Sequence, residues 1–251
     1  MRLADAVALG LLQGPAELLP VSSSAHVGLL LRRRHAALPG AARKEVEVAL
    51  HAGTAVALAL TDPVAPRLRL LAAATIPPAA AGFVFERIVE ERLGTPRSIA
   101  AGLLAGAVAM AAADRTPARR GAAEATARDG AWLGAAQALA LMPGVSRSGA
   151  TRAIARARGF GRADAAALSR EVALPVLAGA AALKGFRIAR RRPPAATIRP
   201  LAAGAAAAAV STWAVRRARL DEVPLAWWAA YRAILAAAIL GPRGTARGQT
   251  P

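Results

Sequence analysis

Gln13-Gly14-Pro15-Ala16-Glu17-Leu18-Leu19-Pro20-Val21-Ser22-Ser23-Ser24-Ala25-His26 sits inside an otherwise apolar block that runs from Leu3 to Leu31. It carries an acid, three consecutive hydroxyls, an imidazole and two prolines, and in a chain built for lipid such a polar cluster marks a functional site. Laid on itself, the chain repeats. Gly10 matches Gly134, Gln13 matches Gln137, Val21 matches Val145, Ser22 matches Ser146 and Ser24 matches Ser148, all at an offset of 124 (137 less 13). The same offset, without a gap, aligns Glu47-Val48-Ala49-Leu50 with Glu171-Val172-Ala173-Leu174. Ala and Leu identities carry little weight in so Ala-rich a chain. The Gln, Ser, Val and Glu identities at one spacing indicate two related halves, about residues 1–115 and 125–241, each opening on a polar motif.

Composition points the same way. The 251 residues are 55% hydrophobic with a mean hydropathy of +0.37, too apolar for most soluble domains of this size, so a membrane protein is the default. A net charge of +18, nearly all arginine, first brings nucleic acid to mind. The arginines fall between apolar blocks, however, and aromatics for base stacking make up only 4%. The charge is therefore read as loop arginine beside anionic lipid headgroups, with no nucleic-acid partner. With no cysteine, disulfides, thiolate catalysis and thiolate metal ligation are excluded. One Arg and then the polar motif, with no small-residue cleavage site, give no removable signal peptide.

Apolar blocks fall at about 3–31, 46–61, 68–85, 98–113, 130–155, 171–186, 197–215 and 223–241. A spanning helix needs roughly 20 residues, so most of these are single crossings. The first and fifth are too long for one crossing, too short for two, and broken by Pro, Gly and Ser. They read as re-entrant hairpins, whose irregular backbone at membrane depth must be surrounded by protein or water. The expected fold is all-α and polytopic: two repeats, each one re-entrant hairpin plus three transmembrane helices. Three crossings per repeat is an odd number, so the repeats are inverted and the hairpins enter from opposite faces. Arginines in nearly every connection leave the orientation unreadable from charge. The tail at 242–251, rich in Arg, Pro and Gly, is expected to be disordered.

The second motif, Pro143-Gly144-Val145-Ser146-Arg147-Ser148-Gly149-Ala150-Thr151, combines one guanidinium, three hydroxyls and glycines that let backbone N–H groups approach a ligand. That is a phosphate cradle. A buried Arg147 needs an anion, either the Glu17 carboxylate or a phosphate brought by substrate. The first motif supplies a nucleophile and a base. Ser23 and His26 are three apart, so on a helix they share a face and can hydrogen-bond. Gln13 and Glu17 are four apart, and a carboxylate there can hold a divalent cation, orient His26 or serve in acid–base chemistry. His35 reads as an interfacial loop residue, whereas His51, four after Glu47, reads with Glu47 as support behind the site.

These motifs resemble those of the bacterial undecaprenyl-diphosphate phosphatase family, the membrane enzymes linked to bacitracin resistance. The family's first motif is Glu or Gln, three residues, Glu, then Leu-Pro-Val-Ser-Ser and a nearby His; its second is Pro-Gly-x-Ser-Arg-Ser-Gly-Ala-Thr. The similarity extends to Glu47, Gly53-Thr54 and Tyr231-Arg232. It implies hydrolysis of undecaprenyl diphosphate to the monophosphate carrier reused in cell-wall synthesis, in the cytoplasmic membrane with an outward-facing site. It further implies Mg²⁺ or Ca²⁺; because Gln13 stands at the family's first acidic position, the cation is expected to lean on Glu17, with Gln13 as a candidate second ligand. Catalytic roles fall on Glu17, Ser23, His26 and Arg147, and phosphate binding on Ser22, Ser146, Arg147, Ser148 and Thr151. The expected partners are the polyprenyl diphosphate, membrane lipids and a second copy in a homodimer. Where the family usually has an apolar Phe-Ser-Phe-Leu-Leu run, this chain has Leu168-Ser169-Arg170-Glu171-Val172, which is expected to pair locally with Glu47, Arg152 or Arg156 or to line a wetter cavity. A transporter of a phosphorylated substrate is the competing reading, since inverted repeats with broken helices are also its pattern. A carrier, however, has no need of a nucleophile beside a base, and a non-catalytic scaffold has no need of either motif.

Overall fold

The structure, a computed structural model, describes residues 1–35, 38–62, 67–191 and 194–241; the tail expected to be disordered lies outside them. Ten α-helices follow in order among the described residues: α1 (Leu3–Leu18), α2 (Leu29–Arg34), α3 (Gly40–Thr61), α4 (Leu68–Arg92), α5 (Pro96–Ala113), α6 (Ala127–Leu139), α7 (Arg147–Ala157), α8 (Arg162–Arg190), α9 (Ala195–Arg217) and α10 (Leu225–Leu240). A wide π turn at Ser24–Gly28 leads into α2. No strand occurs among the described residues, only an isolated bridge between Arg120 and Phe160.

Both long blocks break where the sequence places Pro and Gly. Leu19, which precedes Pro20, is extended at φ −78° and ψ 151°, because a residue before proline is pushed out of the helical region. The fifth block splits at Pro143-Gly144, where Gly144 has φ +95° and an added Cβ would stand 2.1 Å from the Ile99 carbonyl oxygen. Only glycine meets both conditions. The second piece, α7, restarts with Ser146 as its cap, the hydroxyl accepting from the Gly149 N–H.

Small residues let the helices approach closely, the usual basis of packing where lipid removes the hydrophobic drive. Gly10 and Gly14 of α1 lie on α9, with the Ser211 hydroxyl accepting from the Gly14 N–H and donating to the Gly10 carbonyl. Gly130 and Gly134 of α6 lie on α4 in the same manner, against the Leu70 and Ala73 carbonyls. The matched glycines, Gly10 and Gly134, thus each seat their helix on a helix of the other half, the exchange that two related halves would produce.

Outward faces are apolar: Leu60, Phe83, Ile234 and Trp227 are largely exposed. Helices α4, α5, α8 and α9 are each long and apolar enough to cross a membrane, and the molecule is a multi-pass membrane protein. Six crossings were expected. Of the two others, α3 has 22 residues but carries Arg43, Lys44, Glu45 and Glu47, and α10 has 16, about 24 Å at 1.5 Å per residue.

Arg170 and Glu171 depart from the local pairing expected of them. Neighbouring helical residues point about 100° apart, so the two diverge. Arg170 donates to Asp62 (3.0 Å) and Asp221 (2.8 Å), while Glu171 pairs with Arg67. With Arg216 they line a cavity of about 270 Å³, so the wetter cavity is present although the partners differ.

Candidate active site

The two hairpin turns interlock. The Ser148 hydroxyl donates to the Leu19 carbonyl (2.9 Å), and the Gly144 N–H donates to the Ser24 hydroxyl (3.0 Å). Each turn also contains a serine in the left-handed region, Ser22 at φ +79° and Ser146 at φ +67°, at positions related by the offset of 124. A non-glycine residue there costs about 1–2 kcal/mol and must be held by its surroundings. Arg232 of α10 is the brace: 0% exposed, it donates to the Pro20 carbonyl in the first turn, to Gly144 and Val145 in the second, and to Gly102 and Leu103 on α5.

At this junction Glu17, 6% exposed, lies between a guanidinium and an imidazole. Its Oε1 accepts from Arg147 Nε (3.2 Å), and its Oε2 is 3.5 Å from His51 Nε2. The opposite nitrogen of His51 donates to the Glu47 carbonyl oxygen (2.7 Å). His51 was expected behind the site; it reaches the acid itself, while Glu47 orients it through the main chain. The Ser23 hydroxyl also faces Glu17. Of the two anions open to Arg147, the structure shows the carboxylate, with Nη1 donating to the Ser169 carbonyl (3.1 Å). The guanidinium stands at the N-terminus of α7, where the helix end favours an anion.

One expectation changes. Ser23 and His26 do not bond to one another; His26 Nδ1 donates to the Ser22 carbonyl (2.7 Å), and Nε2 meets the Tyr231 hydroxyl (2.6 Å). The three-residue argument assumed an α-helix, whereas the π turn at Ser24–Gly28 has i→i+5 geometry and rotates His26 away. Thr151, expected to bind phosphate, is fully buried, its hydroxyl bonded to the Arg147 carbonyl and to Ser169 Oγ (2.6 Å). It ties α7 to α8 and fixes Arg147 from that side. Ser22 and Ser24, and Ser146 and Ser148, form matched hydroxyl pairs at 2.9 and 3.3 Å.

Matched glutamines differ in use. Gln137 spends its amide N–H on the Ala74 and Val172 carbonyls, whereas the buried Gln13 amide nitrogen has no partner. The unpartnered atom of Gln13, four residues before the acid, is thus an N–H donor, whereas that of Gln137 is its amide oxygen. No cluster of three or more His, Cys, Asp or Glu stands ready for a metal among the described residues. A divalent cation fits this donor set only by sharing the Glu17 carboxylate and the Gln13 amide oxygen with oxygens of a bound phosphate, as Mg²⁺ commonly does.

Sequence reasoning assigned no role to Tyr231 or Arg232. Their signal was a phenol and a guanidinium side by side within an otherwise apolar 16-residue helix.

A polytopic helical membrane protein with two broken hairpins, joining hydroxyls, a guanidinium, a carboxylate and an imidazole at one buried junction, is the class that fold and site define. The chain belongs to the bacitracin resistance protein BacA family, whose model matches residues 61–238. The first hairpin lies before that match, but full-length relatives cover more. A protein named undecaprenyl-diphosphatase from Geobacter sulfurreducens is 38% identical across 84% of this chain and 86% of its own. Proteins of the same name from Elusimicrobium minutum (38%, 72% of this chain and 75% of its own) and Gemmatimonas aurantiaca (37%, 83% and 85%) are similar to it as well.

Proposed function

We propose that this chain hydrolyses undecaprenyl diphosphate to undecaprenyl phosphate and inorganic phosphate, recycling a lipid carrier. The observation that carries the reading is the interlock of the two hairpins, which sets the Arg147 helix end against Glu17 and joins the turn holding Ser22, Ser23 and His26 to the turn holding Ser146 and Ser148, inside an apolar shell. Family membership supports the same reaction. The diphosphate needs the polar junction; the prenyl tail needs only the apolar faces of the helices, and since it is already in lipid its contacts add little net free energy. Selectivity therefore rests on the headgroup.

In this reading Arg147 grips the diphosphate, with greater effect as charge moves onto the leaving group. The serine pairs and the N–H groups at the start of α7 hold the terminal phosphate. Glu17 and Gln13 would hold the divalent cation, which supplies charge neutralisation when bound. His26 manages the proton, and Ser23, facing Glu17, is the hydroxyl closest in kind to a nucleophile. A site open to the outer face of the cytoplasmic membrane belongs to the same proposal. The test is phosphate release from a polyprenyl diphosphate by purified protein in detergent, with and without chelator; transport of the intact lipid without release would favour a carrier instead.

A further inference from the structure

Both ring nitrogens of His26 are in use. Nδ1 is 2.7 Å from the Ser22 carbonyl oxygen, which can only accept, so Nδ1 carries the hydrogen and the neutral ring keeps its lone pair on Nε2. That lone pair is met at 2.6 Å by the Tyr231 hydroxyl, which must therefore donate to it. The two rings are nearly parallel, 7° apart in plane with centroids 5.8 Å apart, so with the 2.6 Å contact the phenol hydroxyl stands at the Nε2 edge of the imidazole. No group can exchange a proton with Nε2 in this arrangement except through Oη of Tyr231.

We propose that Tyr231 is a further catalytic residue that holds His26 in one tautomer and relays its proton to and from the diphosphate site, an inference that rests on the phosphatase reading above. In the forward step the attacking O–H, of a serine or of water, gives its proton to Oη as the Oη–H proton passes to Nε2. The phenol ends neutral, His26 becomes the imidazolium, and the attacking oxygen carries the electron pair that forms the bond to phosphorus. As the P–O bond of the leaving phosphate breaks, the same path in reverse delivers the proton to the departing oxygen and restores His26. Where water attacks, one passage completes the hydrolysis; where serine attacks, the phosphoserine so formed is hydrolysed by water along the same path, which releases inorganic phosphate and restores the serine.

The placement of Tyr231 fits the role. Arg232, the next residue, is locked to five carbonyls across both turns and α5, so the register of α10 against His26 is fixed. Tyr231 itself is 42% exposed, which leaves room for a second partner beside His26.

The chain contains a single tyrosine, so uniform fluorotyrosine incorporation alters only this hydroxyl. Tyr231→Phe, which keeps the ring stack, is expected to lower kcat by about 10²-fold while KM for a polyprenyl diphosphate stays within a few-fold, the size of a lost acid–base step. Fluorotyrosine protein, which keeps the hydroxyl but makes it more acidic, should retain most of the wild-type kcat with a displaced kcat–pH profile. Independently of turnover, the ¹⁵N resonance of His26 Nε2 should move toward that of an unbonded imidazole nitrogen in Tyr231→Phe. A Tyr231→Phe protein with kcat within about twofold of wild type, below any acid–base contribution, overturns the relay, as does a faster one, which would make Tyr231 a simple cover. An unmoved Nε2 resonance overturns the hydrogen bond itself. Wild-type protein inactive on the diphosphate removes the phosphatase reading and the relay with it, and the NMR arm still decides whether Tyr231 holds His26.

Discussion

Arg147 makes two directed contacts, Nε to Glu17 and Nη1 to the Ser169 carbonyl, and in the proposed reading the same planar group meets the substrate phosphate. Lysine keeps the charge but cannot make two fixed-angle contacts, so Arg147→Lys should raise KM and lower kcat together, each by about tenfold or more. A change in KM alone would reduce Arg147 to a uniform binding contact. Glu17 is the acid nearest that guanidinium, flanked by His51 on its other oxygen. Glu17→Gln should cut activity by orders of magnitude and abolish the response to added divalent cation; equal metal dependence in mutant and parent would place the cation elsewhere. At this scale the sequence was legible wherever chemistry follows residue type: Glu17, Arg147, Ser146 and Ser148 do converge. It was not legible where a partner comes from a distant helix, as Tyr231 does for His26, or where a local helix type sets an angle, as the π turn does for Ser23.

Helix boundaries were more legible than side-chain partners, because Pro20 and Pro143-Gly144 break helices by local sterics that need no tertiary context. The mouth of the second hairpin was the less visible element. Asp129, in the first turn of α6, caps it by accepting from the Thr126 N–H and hydroxyl, and it also receives Arg120 and Arg158, the latter just beyond α7. One carboxylate thus pins both ends of the hairpin to the α5–α6 connection. Burial would raise its pKa, but the Arg120 contact, the Thr126 bonds and Arg158 outweigh burial and hold it well below the usual carboxylate range. Because the folded value is depressed, its stabilisation is full above the unfolded pKa of about 4 and is lost as pH falls through the folded value. Asp129→Asn should therefore lower the thermal midpoint in detergent at neutral pH, by the equivalent of about 3 kcal/mol for breaking a buried ion pair. The gap to the parent should narrow progressively below pH of about 4. A gap of constant size across that range would show that the charge of Asp129 is not what closes the hairpin.

On the scale of the whole molecule, the contacts sort helix ends into two groups. Asp114, after α5, receives Arg162 at the start of α8 and the Ala226 N–H at the start of α10. Asp62, after α3, receives Arg170 and Arg216, and both arginines also reach Asp221 between α9 and α10. Arg67, before α4, reaches the Ala122 carbonyl in the α5–α6 connection. The ends of α3, α5 and α9 thus gather with the starts of α4, α8 and α10. In the other group, Met1 packs against the cluster that includes Leu31 and Val46, and Arg191 after α8 reaches Glu45 at the start of α3. If both groups lie at opposite membrane faces, α3, α4 and α5 cross three times, the second half begins on the face opposite to the first, and the hairpins enter from opposite sides. Arg92 at the end of α4 and Arg219 between α9 and α10, nearly equivalent under the offset of 124, then face opposite compartments. The chain has no cysteine, so Arg92→Cys and Arg219→Cys are each a unique label on an otherwise silent background. A membrane-impermeant maleimide added to intact cells should modify one of them and spare the other until the membrane is opened. Both modified, or both spared, in intact cells would mean that the two halves share one orientation, and the antiparallel arrangement of the hairpins would have to be given up.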